Sequence, residues 1–451
     1  MGRMNKADWK KTIYYLRRNG LKKTWYAARE RLEERRRPPY VWIPENEEEL
    51  ERQRSREPEG AVFSIVVPAY RTNAVYLKEM TESLCRQTYS KWELIVADAT
   101  EDDSVERVIR SVEDDRIRYI HLEKNQGIAG NSNQALGYAK GDYVGLLDHD
   151  DILTDNALFE MAAAIRQKQR QGVLPRMLYS DEDKCNGDGT DYYEPNFKED
   201  FNLDLLLGNN YICHFLVMER ELIQRLGFRK EYEGAQDYDL VLRAVSALKT
   251  EEEAIVHIPR VLYHWRCHTG STAENPESKL DAYRAGRRAV EDFARREGWQ
   301  AKVSDISHLG FYVLEYEKTV FETRQDVGAI GGRIVCRKRI AGGRLTEEGK
   351  TMYENLPVAY SGYLHRAVLS QDAAAVDIRN MRVREECRGI FEETVGVAYR
   401  TVPGKDIFDV SLLPGDCDRT AISLKLGRAL REAGYRILYL PDRTRELKIS
   451  E

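Results

Sequence analysis

The sequence predicts an α/β chain built on a mostly parallel sheet with helices on both faces, joined to a smaller α/β C-terminal domain. Three observations carry that expectation. From Phe63 onward, apolar runs alternate with amphipathic stretches in the manner of βαβ units. Carboxylates gather where apolar runs end, the edge at which open parallel sheets hold ligands. The length, 451 residues, exceeds one ordinary domain of about 100 to 200 residues.

Composition narrows the function classes. A chain that is 42% hydrophobic and 32% charged has a sizeable core and a wet surface, which excludes wholesale disorder. No apolar run approaches the roughly 18 residues that span a bilayer. The seven cysteines are scattered without a CxxC pair, pointing to a reducing, cytoplasmic environment. The net charge of -5 hides an asymmetry, because residues 1–37 hold 13 basic and four acidic side chains. The remaining body is acidic, which argues against nucleic acid as a partner.

Taken in order, "NKADWKKTIYYLRRNGLKKTWYAARERLEERR" reads as one or two helices interrupted near Asn19-Gly20. Trp9, Ile13, Leu16, Leu21, Trp25 and Leu32 alternate with basic clusters. Such a helix either lies on an anionic membrane surface or docks on the protein's own body with a solvated basic face. The proline- and charge-rich stretch that follows reads as a linker, so residues 1–60 form an N-terminal extension. Within residues 61–300, "FSIVVPAY" is a buried strand ending at Pro68, and "AVYLKEMTESLCRQ" is a helix with Leu77, Met80 and Leu84 on one face. "WELIVAD" and "IRYIHL" are the next strands. "GIAGNSNQALGYAKG" is a helix closed by Gly141, and "DYVGLL" is the strand after it.

That strand runs into Asp148, His149, Asp150 and Asp151. Like charges so close together need a cation or hydrogen-bond donors to offset them. One solution is Mn²⁺ or Mg²⁺, held by few protein carboxylates and completed by water and phosphate oxygens. The other is a helix cap, since aspartate favours helix N-termini. The loop lacks the glycine and distal glutamate of an EF-hand, and neither GxGxxG after the first strand nor GxxxxGK[ST] occurs.

From Phe63 to about Arg288 the chain resembles the inverting family 2 glycosyltransferases, whose fold is called GT-A. The resemblance rests on "FSIVVPAY", "WELIVAD", "NQGIAGNSNQAL", "GDYVGLLDHDD", "EGAQDYDLVLRA" and "VLYHWRCHTGSTA" in that order. The variants "LLDHDD", "YSDEDK", "QDYDLVLR" and "YHWR" are similar to those of members that build bacterial surface polysaccharides such as rhamnans, O-antigens and capsules. It implies transfer of a sugar from a UDP-, dTDP- or GDP-linked donor to a growing, lipid-linked glycan, at the inner face of the cell membrane. It places Pro68, Ala69, Tyr70 and Asp98 in the nucleotide pocket, Asp148 near the ribose and diphosphate, and Asp150 on the metal as part of a DXD motif. Many members carry two aspartates after the second strand; here Ala99 follows Asp98.

An inverting transfer needs a carboxylate opposite the diphosphate to deprotonate the attacking hydroxyl. By resemblance that base is Asp237, with Gln236 standing where the motif usually has glutamate and Asp239 making structural hydrogen bonds. Arg266 is expected to bind phosphate, and His268 phosphate or metal. Asp181, Glu182 and Asp183 either line the acceptor side or sit on a solvated hairpin tip. His214 is either buried structure or an acceptor contact.

Residues 301–451 resemble the later half of a second family 2 module whose first half is absent. They read as a degenerate, non-catalytic domain that packs on the catalytic one, forms a homodimer or holds acceptor glycan. "GDCD", with Asp416 and Asp418, reads as loop, while Tyr353, Tyr360 and Tyr363 suit sugar stacking. Two rival classes are a non-catalytic glycan-binding or scaffold subunit, and a nucleotidyltransferase.

Overall fold

The structure, a computed structural model, describes residues 6–56, 60–268 and 280–447. The "GSTA" segment lies outside the described residues, as does the side chain of Trp9. The chain forms two compact units, one of Pro38–Phe201 and Asn210–Phe293, the other of the segment ending at Arg37, Asn202–Asn209 and the chain from Ala294 onward.

Helix α1 runs from Lys6 to Glu34 and is interrupted at Gly20, where φ is +77°. Only glycine adopts that conformation without steric cost. The segment read as a linker contains a helix, α2 (Glu47–Ser55), because Asn46 caps it, three glutamates occupy its first turn, and Leu50 and Gln53 are buried.

The first unit then follows the predicted alternation: β1 (Phe63–Ala69), α3 (Ala74–Cys85), β2 (Trp92–Asp98), α4 (Ser104–Arg110), β3 (Ile117–His121), α5 (Gly127–Leu136), β4 (Tyr143–Leu146), β5 (Ile152–Leu153) and α6 (Ala157–Arg170). Next come β6 (Met177–Cys185), β7 (Tyr192–Asn196), α7 (Leu203–Gly208, which belongs to the other unit), β8 (Leu216–Glu219), α8 (Arg220–Leu226), α9 (Gln236–Ala247), β9 (Ile255–Arg266) and α10 (Leu280–Arg296). The strands form one nine-stranded sheet in the order β3-β2-β1-β4-β8-β6-β9-β5, with β7 on β6. Neighbours from β3 to β4 are parallel, and β8 enters antiparallel to both β4 and β6. Apolar residues of β1 and β2 pack with Leu77, Met80 and Leu84 of α3 in the core beneath the sheet. Helix α5 ends at Gly137, short of Gly141. Gly141 instead passes β1 so closely that a Cβ would stand 2.6 Å from the Val62 carbonyl oxygen.

The second unit centres on the strands Val327–Cys336 and Arg436–Glu446, which pair in parallel, with Met381–Val383 antiparallel beside the first. Helix α1 docks on this unit through polar groups: Lys23 Nζ donates to Ser307 Oγ (2.9 Å), and Glu30 accepts from the backbone of Ser361 and Gly362. Leu21, Trp25 and Leu32 form a different stripe and stay 79%, 56% and 59% exposed. No helix among the described residues is long and apolar enough to cross a membrane.

Candidate active site

The parallel register brings Pro68 beside Ala97 and Ala69 beside Asp98, so the ends of β1 and β2 form one edge. Asp98 is fully buried there. Its Oδ1 accepts from Thr100 N (2.9 Å) and Oγ1 (2.6 Å), and its Oδ2 accepts from Tyr119 (3.0 Å). Burial and that carboxylate raise the Tyr119 pKa. Asp98 thus braces the edge with both oxygens. The exposed flank holds Tyr70, whose hydroxyl donates to Glu101 (3.1 Å), and Arg71, which pairs with the same carboxylate (2.8 Å).

Beyond β4 the chain leaves the sheet, and the aspartates diverge. Asp151 is buried, accepting from the Tyr263 hydroxyl and from Arg266 N (2.7 Å). Desolvation, then the neighbouring Asp150 and Asp148 carboxylates, hold its pKa well above the ordinary value. Asp148 keeps an exposed face, although protein surrounds it closely. Desolvation raises its pKa, His214 and His149 oppose that shift, and Asp150 and Asp237 reinforce it. Asp148 therefore feels groups from three separate segments. Asp150 Oδ2 lies 3.2 Å from His268 Nε2, and His149 Nδ1, buried and without a hydrogen-bond partner, lies 3.7 Å from Asp150 Oδ1.

Arg266 is fully buried, and its guanidinium is engaged by the protein. Its Nε donates to the Asp150 carbonyl (2.7 Å) and its Nη1 to the Gly187 carbonyl (2.6 Å), while Glu79 lies 2.7 Å from Nη2 off the hydrogen-bond axis. It positions the aspartate loop instead of reaching phosphate itself. Only the stacked Tyr76 ring, 4.6 Å from its guanidinium carbon, separates it from the His268 ring.

On the other side of the cleft, α9 begins at Gln236 without a side-chain cap. Asp237 in its first turn is half-buried, and its Oδ2 accepts from Asn210 Nδ2 (3.1 Å). The Gln236 side chain folds back to accept from Gly234 N (2.8 Å). Asp239 is fully buried between Arg229 and Arg243, the structural role expected of it.

Asp181 and Glu182 lie within β6 and are buried, so the hairpin-tip alternative fails for both. Asp181 accepts from Lys198 N (2.8 Å) and pairs with His257 (3.0 Å). Desolvation lowers the His257 pKa, but hydrogen bonds to Asp181 and Asp200 outweigh it and leave it raised. Glu182 accepts from the His214 backbone N–H and so fixes the loop whose imidazole stacks on Tyr263, with centroids 4.9 Å apart.

Sequence reasoning offered Glu233 as a carboxylate without giving it a role, and it missed Asn210. Glu233 caps α5, accepting from Ile128 N (2.5 Å) and Ala129 N (3.3 Å), which ties "NQGIAG" to "EGAQDYD". A carboxylate just upstream of the base motif was the available signal. Asn210 orients Asp237, and no local pattern marks it.

Among the described residues, no three His, Cys, Asp or Glu side chains converge as a complete metal cage. Asp150 and His268 form the sparse set that suits Mn²⁺ or Mg²⁺ when phosphate and water supply the other positions.

In the second unit, Tyr360 is buried and donates to Glu33 (2.8 Å), so it offers no stacking face. Tyr353 donates to Gln371 (3.0 Å), and Tyr363 lies under Arg366. Asp418 caps the helix Arg419–Glu432, in keeping with a loop role for "GDCD".

The sequence pattern described as glycosyl transferase family 2 matches residues 64–227. An uncharacterized protein, y4gI, of Sinorhizobium fredii is 40% identical over 52% of this chain and 26% of its own length. The O-antigen biosynthesis protein RfbC of Myxococcus xanthus is 32% identical over 56% of this chain and 19% of its own. The chain thus spans about a quarter or less of these two relatives. The putative colanic acid biosynthesis glycosyl transferase WcaA of Escherichia coli is 30% identical over 44% of this chain and 72% of its own. At that identity and coverage, the chain belongs to glycosyl transferase family 2.

Proposed function

We propose that the chain is an inverting hexosyltransferase that moves a sugar from a nucleoside diphosphate donor to a hydroxyl of a growing, lipid-linked bacterial surface glycan. The observation that carries this reading is that Asp148 and Asp150, beyond the parallel half of the sheet, and Asp237, in the first turn of α9, keep solvent contact, while their neighbours Asp151 and Asp239 are buried in hydrogen bonds. Leaving-group and attacking-group chemistry then share one cleft. The donor lies along Pro68, Ala69 and Tyr70, with its diphosphate toward Asp148 and Asp150. Asp237, steadied by Asn210, takes the proton of the acceptor hydroxyl as its oxygen attacks the anomeric carbon. The bond from that carbon to the diphosphate breaks on the opposite side, inverting the centre. Asp150 and His268 are the residues that would hold Mn²⁺ or Mg²⁺, which when bound neutralises charge on the departing diphosphate. Glu182 supports the acceptor side through the His214 backbone, and Asp181 through Lys198, which donates to the His214 carbonyl.

The reading extends to the membrane. Leu21, Trp25 and Leu32 face outward with Lys22, Arg29 and Arg35 exposed near them, while Lys23 and Glu30 dock α1 on its unit. An exposed apolar stripe flanked by cations suits a peripheral contact with anionic lipid at the cytoplasmic face.

A thermal-shift screen of UDP-, dTDP- and GDP-sugars, with and without Mn²⁺, tests the function. Stabilisation by one nucleotide class that depends on Mn²⁺ is expected, and no response to any of them contradicts the reading.

A further inference from the structure

Outside the cleft, the most developed unassigned feature of the first unit is a cavity of about 180 Å³. It lies on the far side of β9, because neighbouring strand residues point to opposite faces. Tyr263 reaches Asp151, whereas the next residue, His264, lines the cavity. None of the cleft residues Asp148, Asp150, His214, Asp237 or His268 contributes to it.

Its wall is an aromatic corner. Trp42, brought by the segment before α2, stands 4.6 Å from the Tyr192 ring and 4.5 Å from His264, tilted at 51° and 81°. Tyr192 and His264 are also in contact, with centroids 4.4 Å apart, so the three rings pack on one another while Trp42 and Tyr192 stay partly exposed toward the cavity. The rim is polar: Glu45, Arg86, Asp155 and Asn156, with Arg86 pairing to Asp155 at 3.1 Å.

His264 is 1% exposed. Its Nδ1 lies 2.5 Å from Asp183, a carboxylate that also accepts from Tyr40 (2.9 Å). A neutral imidazole bonded in this way donates from Nδ1 and presents Nε2 as an acceptor. That Nε2 is buried and has no partner. A buried acceptor without a donor is costly, so a hydroxyl brought to it is favoured.

We infer that this cavity is a second carbohydrate site, which holds one pyranose of a glycan away from the point of transfer. An apolar ring face fits Trp42 and Tyr192, hydroxyls fit the rim, and one hydroxyl donates to His264. On the rim Arg86 is paired with Asp155 and Glu45 with Arg260 (3.2 Å), a charge-balanced surface that suits a neutral sugar. Assigning the glycan as acceptor rests on the proposed glycosyl transfer; the site itself does not.

Saturation-transfer NMR on the full chain with the methyl glycosides of glucose, galactose, rhamnose and N-acetylglucosamine tests it. At least one glycoside is expected to receive saturation from the wild type, and to bind about tenfold more weakly to Trp42→Ala and to Asp155→Asn. Mn²⁺-dependent nucleotide binding, measured on the same samples, should be retained by both variants and shows that they are folded. Absence of transfer to all four glycosides, or equal transfer with folded variants, overturns the site. Loss of nucleotide binding in the wild type with glycoside binding intact would instead refute the transferase reading alone.

Discussion

Asp151, between β4 and β5, and Asp237, in the first turn of α9, are both aspartates of the candidate site, yet the fold treats them in opposite ways. Asp151 is sealed under Tyr263 and the Arg266 backbone, whereas Asp237 is half-buried with one observed side-chain donor, Asn210. The same division recurs within each motif. Asp148 is open and Asp151 closed, just as Asp237 is accessible and Asp239 is clamped by two arginines. In each motif a carboxylate locked by hydrogen bonds stands within three residues of one that keeps solvent contact. A carboxylate available for chemistry keeps solvent on one side, and a structural one spends its lone pairs on donors.

The largest expected effect comes from removing the accessible member. Asp237→Asn should lower transfer by about 10²–10⁴-fold, the scale of general-base catalysis, with its fold unchanged by circular dichroism. Near-normal turnover would erase the distinction between the two classes. Asp239→Ala should act on stability instead, costing about 3–5 kcal/mol in urea unfolding because Arg229 and Arg243 lose their buried partner. An unfolding midpoint like that of the wild type would show that the clamp is incidental.

A smaller effect contrasts the two faces of α1. Trp25→Glu should weaken sedimentation with phosphatidylglycerol vesicles by about tenfold at low salt. Lost salt dependence in the wild type, or unchanged binding in the variant, would leave the outward stripe without a lipid role. The smallest concerns His257, which Asp181 and Asp200 hold above its unfolded pKa despite burial. Its contribution to stability is complete below the unfolded value of about 6.5 and fades as pH rises through the folded value. The stability gap between wild type and His257→Gln should therefore narrow above neutrality, and a gap that widens would contradict the sign.

Much of the first unit was legible in the sequence, because β1, β2 and β4 are apolar runs with carboxylates at their ends and α3 shows its buried face at helical spacing. Gly20 announced the interruption of α1. What escaped depends on tertiary contact. Helix α2 is so polar that its charge runs read as a linker, and only Leu50 and Gln53 are buried. Arg266 looked like a phosphate ligand because arginine commonly is one, but β9 carries it into the interior. Glu182 sits in a strand whose charges are unusual for burial, and Lys198 and the His214 backbone offset it there. Residue type and order located the cleft; which aspartate faces solvent is decided by residues distant in sequence, Asn210, Arg229 and Tyr263.

The central claim, that Asp150 serves the leaving diphosphate and Asp237 the attacking hydroxyl, is tested most directly by calorimetry. UDP, dTDP and GDP with Mn²⁺ are titrated into wild type, Asp150→Ala and Asp237→Asn. The account predicts that one nucleotide binds wild type and Asp237→Asn alike and that its Mn²⁺-dependent affinity disappears in Asp150→Ala. Unchanged affinity in Asp150→Ala, or its loss in Asp237→Asn, would contradict it.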